Sequence, residues 1–113
     1  MILIVGACAS GKRAFAKTLG YTDADMSPRP EDGCPVLFDL QDAVEEDPAN
    51  AMALLPLLEK KAVVICNEVG AGVIPADAHK RMAREQTGRL CCALAVKAEQ
   101  VYRLVAGLPQ RIK

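Results

Sequence analysis

The stretch Gly6-Ala7-Cys8-Ala9-Ser10-Gly11-Lys12-Arg13 carries residue types at a spacing suited to holding phosphate. It fits G-x-x-x-x-G-K and departs at the next position, where Arg13 replaces the usual serine or threonine. The two glycines let the backbone curl until its N–H groups converge on phosphate oxygens. The lysine reaches the β- and γ-phosphates, and the following helix N-terminus adds positive dipole. By average residue usage this pattern arises by chance in roughly 3% of chains of this length, and a strand before it and a helix after it make chance rarer. Gly6 to Arg13 are therefore read as a cradle for nucleotide phosphates, with Lys12 as the catalytic cation that neutralises the transferring group. In phosphate-loop enzymes the missing hydroxyl helps hold Mg²⁺. Arg13 cannot ligate a metal; its guanidinium either stands beside the phosphates as a fixed charge or points to solvent. The competing reading is a glycine-rich turn that has lost its ligand.

Two acids stand at the ends of apolar runs. Asp39 closes "VLFD", where phosphate-loop folds place a magnesium-associated carboxylate; a helix cap is the alternative. Glu68 follows "VVICN" and is placed to take a proton from an attacking hydroxyl, because open α/β sheets bind ligands at the carboxyl ends of their strands. Arg81 and Arg84 share a helix face, flanked by Lys80 and Arg89. They read either as contacts to a triphosphate or as a solvated basic face. His79, the only histidine, has no metal-ligand partners nearby in sequence and reads as a surface or helix-capping residue.

The elements that must position these residues follow from the apolar runs. "ILIVGA", residues 2 to 7, is β-branched and stops at a glycine, as a strand buried on both faces does. Residues 11 to 19 carry helix formers. Residues 20 to 35 hold three prolines and two glycines and read as loop. "VLFDL", 36 to 40, is a second strand. Residues 45 to 61 read as helix, with Asp47 as cap, Pro48 in the first turn and Pro56 kinking or splitting it. "AVVICNEV", 62 to 69, is a third strand. Pro75 to about Gln100 is helical, with Leu90, Leu94 and Ala98 on one face and Gly88 as a point of interruption. "VYRLVAGL", 101 to 108, is a fourth strand. Strands alternating with helices imply a parallel sheet covered on both faces, in one domain spanning residues 1 to 113.

The 113 residues include 14 Lys plus Arg against 14 Asp plus Glu, so the overall balance draws the chain toward neither nucleic acid nor an anionic membrane. Two Tyr, two Phe and no Trp argue against base-stacking platforms. "MILIVGA" lacks the charged leader of a signal peptide, and no run approaches 18 apolar residues. Five cysteines without a C-x-x-C, beside one histidine, disfavour zinc and fit free thiols in a reducing cytoplasm.

The string "NEVGAGVIP", Asn67 to Pro75, followed by "RMAREQTGRL", Arg81 to Leu90, and "VAGLPQRIK", Val105 to Lys113, resembles the adenosylcobinamide kinase/adenosylcobinamide-phosphate guanylyltransferase family of cobalamin synthesis. The phosphate loop and the Asp39 strand precede them in the family's order, so the likeness covers residues 1 to 20 and 36 to 113. The resemblance implies a three-layer α/β sandwich with a mainly parallel sheet, of the phosphate-loop NTPase, RecA-like architecture. It implies GTP or ATP as phosphoryl donor with Mg²⁺, the aminopropanol hydroxyl of adenosylcobinamide as acceptor, and a homo-oligomer, typically a trimer. It further implies transfer of GMP through a covalent guanylyl-histidine. The chain departs from the family at Arg13, which sets magnesium use in question. The segment between the first helix and the Asp39 strand is short, and Tyr21 to Pro35 contains no histidine, which argues against guanylyl transfer. Cys91-Cys92 replace the usual Asn-Gln.

Overall fold

The structure is a computed structural model and describes residues 1–69 and 74–113. Six strands form one sheet in the order β2-β3-β4-β1-β5-β6. Strands β1 (Ile2–Gly6), β2 (Met26–Ser27), β3 (Val36–Leu37), β4 (Val63–Asn67) and β5 (Gln100–Val105) run parallel, and β6 (Leu108–Arg111) pairs antiparallel with β5. The chain is an α/β protein with a mostly parallel sheet, as the alternation of strand and helix patterns predicts.

Side chains alternate across a strand, and here both faces are apolar. Leu3, Leu37, Val64 and Cys66 enter one core, while Ile4, Val36, Val63 and Ile65 enter the other. Helices α2 (Leu40–Glu46), α3 (Leu55–Glu59) and α4 (Ala78–Lys97), with a 3₁₀ segment at Pro48–Leu54, lie on the first side. The second side is packed by α1 (Lys12–Thr18), whose Ala16 is buried and whose Phe15 meets Tyr102 edge-on at 4.9 Å. Helix α4 buries Ala83, Thr87, Leu90 and Leu94 and continues through Gly88 without a break.

Several element boundaries differ from the sequence reading. The loop at 20 to 35 contains a 3₁₀ turn at Asp23–Asp25 and the edge strand β2, which the apolar-run criterion misses because it is two residues long. The strand expected at 36 to 40 ends at Leu37, and Leu40 already opens α2. The helix expected from residue 45 is three pieces: α2 ends at Glu46, Pro48 starts the 3₁₀ segment, and Pro56 lies in the first turn of α3. The strand expected at 101 to 108 stops at Val105 and reverses at Ala106 (φ 50°) and Gly107 (φ 79°) into β6. Two consecutive positive φ values are the signature of the hairpin turn whose twist matches its strands. An Ala-Gly pair is a weak sequence signal for it.

Candidate functional site

The parallel strands bring Gly6, Leu37, Asn67 and Val105 to one edge of the sheet, so the loops that follow them converge. The first links β1 to α1. Gly6 is required there by close approach: a Cβ would lie 2.6 Å from Ser10 Oγ and 2.8 Å from the Leu104 carbonyl oxygen. The loop turns on itself with Ser10 N donating to Ala7 O at 3.2 Å, and Ala9 (φ 56°) and Gly11 (φ 91°) take the left-handed conformation. The β5–β6 turn props it from the side, with Gly107 N donating to Ser10 O at 3.0 Å.

Lys12 opens α1 and is only 6% exposed. Its Nζ donates to Ala7 O at 2.5 Å and to Ser10 Oγ at 3.4 Å, so the ammonium is folded over the loop's concave side. Burial lowers its pKa from the ordinary value, against the opposing pull of Cys8, Asp39, Cys66 and Glu68. A phosphate at that position would favour the charged form. Cys8 to Ala14, with Asp39, Ile65 and Asn67, line a cleft of about 450 Å³.

Asp39, two residues past the end of β3, lines this cleft together with the loop. It also occupies the position before α2, but its side chain caps no backbone N–H. Its backbone is left-handed (φ 54°, ψ 46°), a costly conformation for a residue with a Cβ. The carboxylate instead accepts from Gln41 Nε2 at 3.3 Å, and Gln41 Oε1 accepts from Asn67 N at 2.9 Å. Arg13 lines the same cleft with its guanidinium 4.7 Å from the ring centre of Phe38, the residue before Asp39.

Glu68 is fixed to the same edge by its N–H, which donates to Gly6 O at 2.8 Å. Its carboxylate is engaged by Arg103 of β5, Nε to Oε1 at 2.5 Å and Nη2 to Oε2 at 3.2 Å. That fork raises the Arg103 pKa, through the hydrogen bond and then the charge of Glu68. Glu68 is therefore held beside the cleft rather than in its lining. The sequence reading missed Arg103 and Gln41; each acts through strand neighbours that lie far apart in the chain.

Among the described residues, no basic side chain of α4 lines the phosphate-loop cleft. Arg81 Nη1 donates to Pro75 O and Ala76 O at 3.1 and 2.6 Å, and Arg89 pairs with Glu85 at 2.8 Å. With Arg84 they border a separate depression of about 740 Å³ beside Val69 and Ile74. His79 lies at the start of α4, its Nε2 2.6 Å from Glu45 O. Gly70 to Val73 of the "NEVGAGVIP" string lie outside the described residues. Hydrogen bonding with Cys91, then burial, pushes the Cys66 thiol pKa up, so this pair is a packed contact behind β4. Among the described residues no group of three or more His, Cys, Asp or Glu is placed to hold a metal ion. None of their helices is long and apolar enough to cross a membrane.

A strand–loop–helix with a buried lysine, at the carboxyl edge of a mostly parallel sheet and facing an acid from the turn after β3, defines an α/β protein of the phosphate-loop type. The family model for cobinamide kinase / cobinamide phosphate guanyltransferase matches residues 27–112, and the chain belongs to that family. The matched range takes in Asp39, Gln41, Asn67, Glu68, α4 and the β5–β6 hairpin. It begins after the phosphate loop, so Gly6 to Arg13 rest on their own geometry. Two relatives are each named bifunctional adenosylcobalamin biosynthesis protein CobU, from Salmonella typhimurium (strain LT2) and Escherichia coli (strain K12). Each is 30% identical over 74 residues. That stretch is 66% of this chain and 41% of each relative, so the match spans about two-fifths of their length.

Proposed function

We propose that the chain binds GTP or ATP at Gly6 to Arg13 and phosphorylates the aminopropanol hydroxyl of adenosylcobinamide, without the guanylyl transfer of its longer relatives. The observation that carries this reading is Lys12, folded over a curled loop and facing Asp39 across the cleft. Loop N–H groups and Lys12 bind the β- and γ-phosphates. The donor set fits a magnesium ion carried mainly by phosphate oxygens and water, with Asp39 as its protein contact, and such an ion would offset charge between the phosphates. The acceptor oxygen forms a bond to the γ-phosphorus as the bond to the bridging oxygen breaks, releasing nucleoside diphosphate. Glu68 takes the hydroxyl proton, for which Arg103 must release one carboxylate oxygen.

A second reading is favoured by that same Glu68–Arg103 fork and by Arg13: nucleotide binding without catalysis, as an assembly partner. A homo-oligomer, a trimer by resemblance, and a cytoplasmic setting belong to either reading.

Two measurements test the shared part. Lys12→Ala removes a charge-assisted contact and should cost about 1.5 to 3 kcal/mol of nucleotide affinity by titration calorimetry. The exposed thiol of Cys8 lines the cleft, so GTP or ATP should slow its alkylation while leaving Cys92 reactive. Equal affinity in the parent and Lys12→Ala, with unprotected Cys8, removes the reading. Phosphate transfer from labelled GTP to adenosylcobinamide then separates kinase from silent binder.

A further inference from the structure

We infer that Gln41 is a positioning residue: its amide sets the Asp39 carboxylate against the phosphate cleft by tying it to the main chain at the end of β4. This rests on the phosphate-loop reading above and concerns what holds that site's acid in place. Three observations carry it. The Asp39 backbone is left-handed, a conformation aspartate reaches where its short side chain finds a local polar partner, and Gln41 two residues on is that partner. The Asp39 side chain makes no cap bond to α2, the usual reason for an aspartate before a helix. Gln41 joins the turn after β3 to the end of β4, with Nε2 on Asp39 Oδ1 at 3.3 Å and Oε1 on Asn67 N at 2.9 Å.

The orientation of the amide is fixed by its partners. A backbone N–H can only donate, so the group facing Asn67 must be the oxygen. A carboxylate can only accept, so the group facing Asp39 is the nitrogen. Reversing either end would leave two donors or two acceptors opposed. The chain of contacts continues through Glu68 N on Gly6 O at 2.8 Å, so Asp39, β4 and the start of the phosphate loop are linked across the sheet edge. Gln41 is not among the described residues that line the cleft. It acts on Asp39, not on the ligand.

The consequence differs with metal. With Mg²⁺ between them, a correctly aimed Asp39 favours the nucleotide. Without metal, the same carboxylate repels the phosphates. Releasing Asp39 should therefore weaken binding in Mg²⁺ and strengthen it in EDTA. A general loosening of the fold weakens both.

The test is calorimetric titration of GTP and of ATP into the parent, Asp39→Asn, Gln41→Met and the double variant, each in excess Mg²⁺ and in EDTA. Gln41→Met keeps the length of the side chain and removes both hydrogen bonds. Gln41→Ala is the second variant should methionine disturb folding, judged by thermal unfolding without nucleotide. The expected result is that Gln41→Met shifts the ratio of the two affinities by about tenfold in the same direction as Asp39→Asn, and that the double variant shifts it no further. A ratio unchanged in Gln41→Met and Gln41→Ala overturns the assignment, as does a double variant whose shift is the product of the two. A parent that binds neither nucleotide under either condition overturns the phosphate-loop reading itself, and the role of Gln41 falls with it.

Discussion

Arg13 takes the place of the hydroxyl that would face magnesium, and its guanidinium lies over Phe38, one residue before Asp39. The contact with the ring favours a cation there. The position keeps a fixed positive charge at the rim of the cleft. Nucleotide binding should therefore persist in EDTA, with Arg13 supplying part of the charge that a metal normally supplies. Arg13→Ser should make binding depend on Mg²⁺, read by titration with and without chelator. Loss of all binding by the parent in EDTA, with no change in Arg13→Ser, would show that the guanidinium serves Phe38 alone. Lys12, Gly6 and Gly11 were legible in the sequence because their spacing is local and set by the phosphate itself. Arg103 and Gln41 were not, because their partners Glu68 and Asn67 are brought to them by strand order, which no spacing encodes.

Elements with long apolar runs were legible and those built from two residues were not. β1 and β4 show uninterrupted apolar runs because both of their faces are buried. β3 has only Val36 and Leu37 in ladder pairing, so Phe38 extends the apolar pattern past the strand's true end. The hairpin after β5 was hidden because Ala106 accepts a positive φ without the usual Asn or Asp signal. Helix α4, expected from Pro75 to about Gln100, spans Ala78–Lys97, and its start carries a cap that the sequence reading did not name. Asp77 accepts from His79 N at 2.7 Å and Lys80 N at 3.2 Å. The hydrogen bonds from Lys80 and then His79 lower the Asp77 pKa below its ordinary 3.8. A depressed carboxylate contributes stability that is present above pH 3.8 and lost as pH falls through the folded-state value. The first turn of α4 should fray in that acid window, measured by amide exchange at residues 79 and 80. Asp77→Ala should show the fraying at neutral pH and little further change on acidification.

At the scale of the whole molecule, the sheet's first face carries three helices and a 3₁₀ segment, while the second carries α1. The phosphate loop lies where these layers meet the carboxyl edge. The chain matches only 41% of each longer relative, and the resemblance assigns guanylyl transfer to a histidine between the first helix and the Asp39 strand. In this chain that interval is Leu19 to Pro35 and holds a 3₁₀ turn, β2 and a loop clamped by Lys61, whose Nζ donates to Asp32 O and Cys34 O. The one histidine, His79, lies at the start of α4 with its ring nitrogen against Glu45 O of α2. A phosphoramidate to GMP requires an imidazole nitrogen in line with the α-phosphate of GTP, and His79 is not among the residues lining the phosphate-loop cleft. Incubation with GTP and Mg²⁺ should therefore leave the intact mass unchanged. An acid-labile gain equal to GMP, abolished by His79→Asn, would mean that α4 and the phosphate loop meet in a second arrangement of this chain or across two copies of it. The same gain persisting in His79→Asn would place the nucleotide on another nucleophile, for which Lys12→Ala is the next variant to weigh.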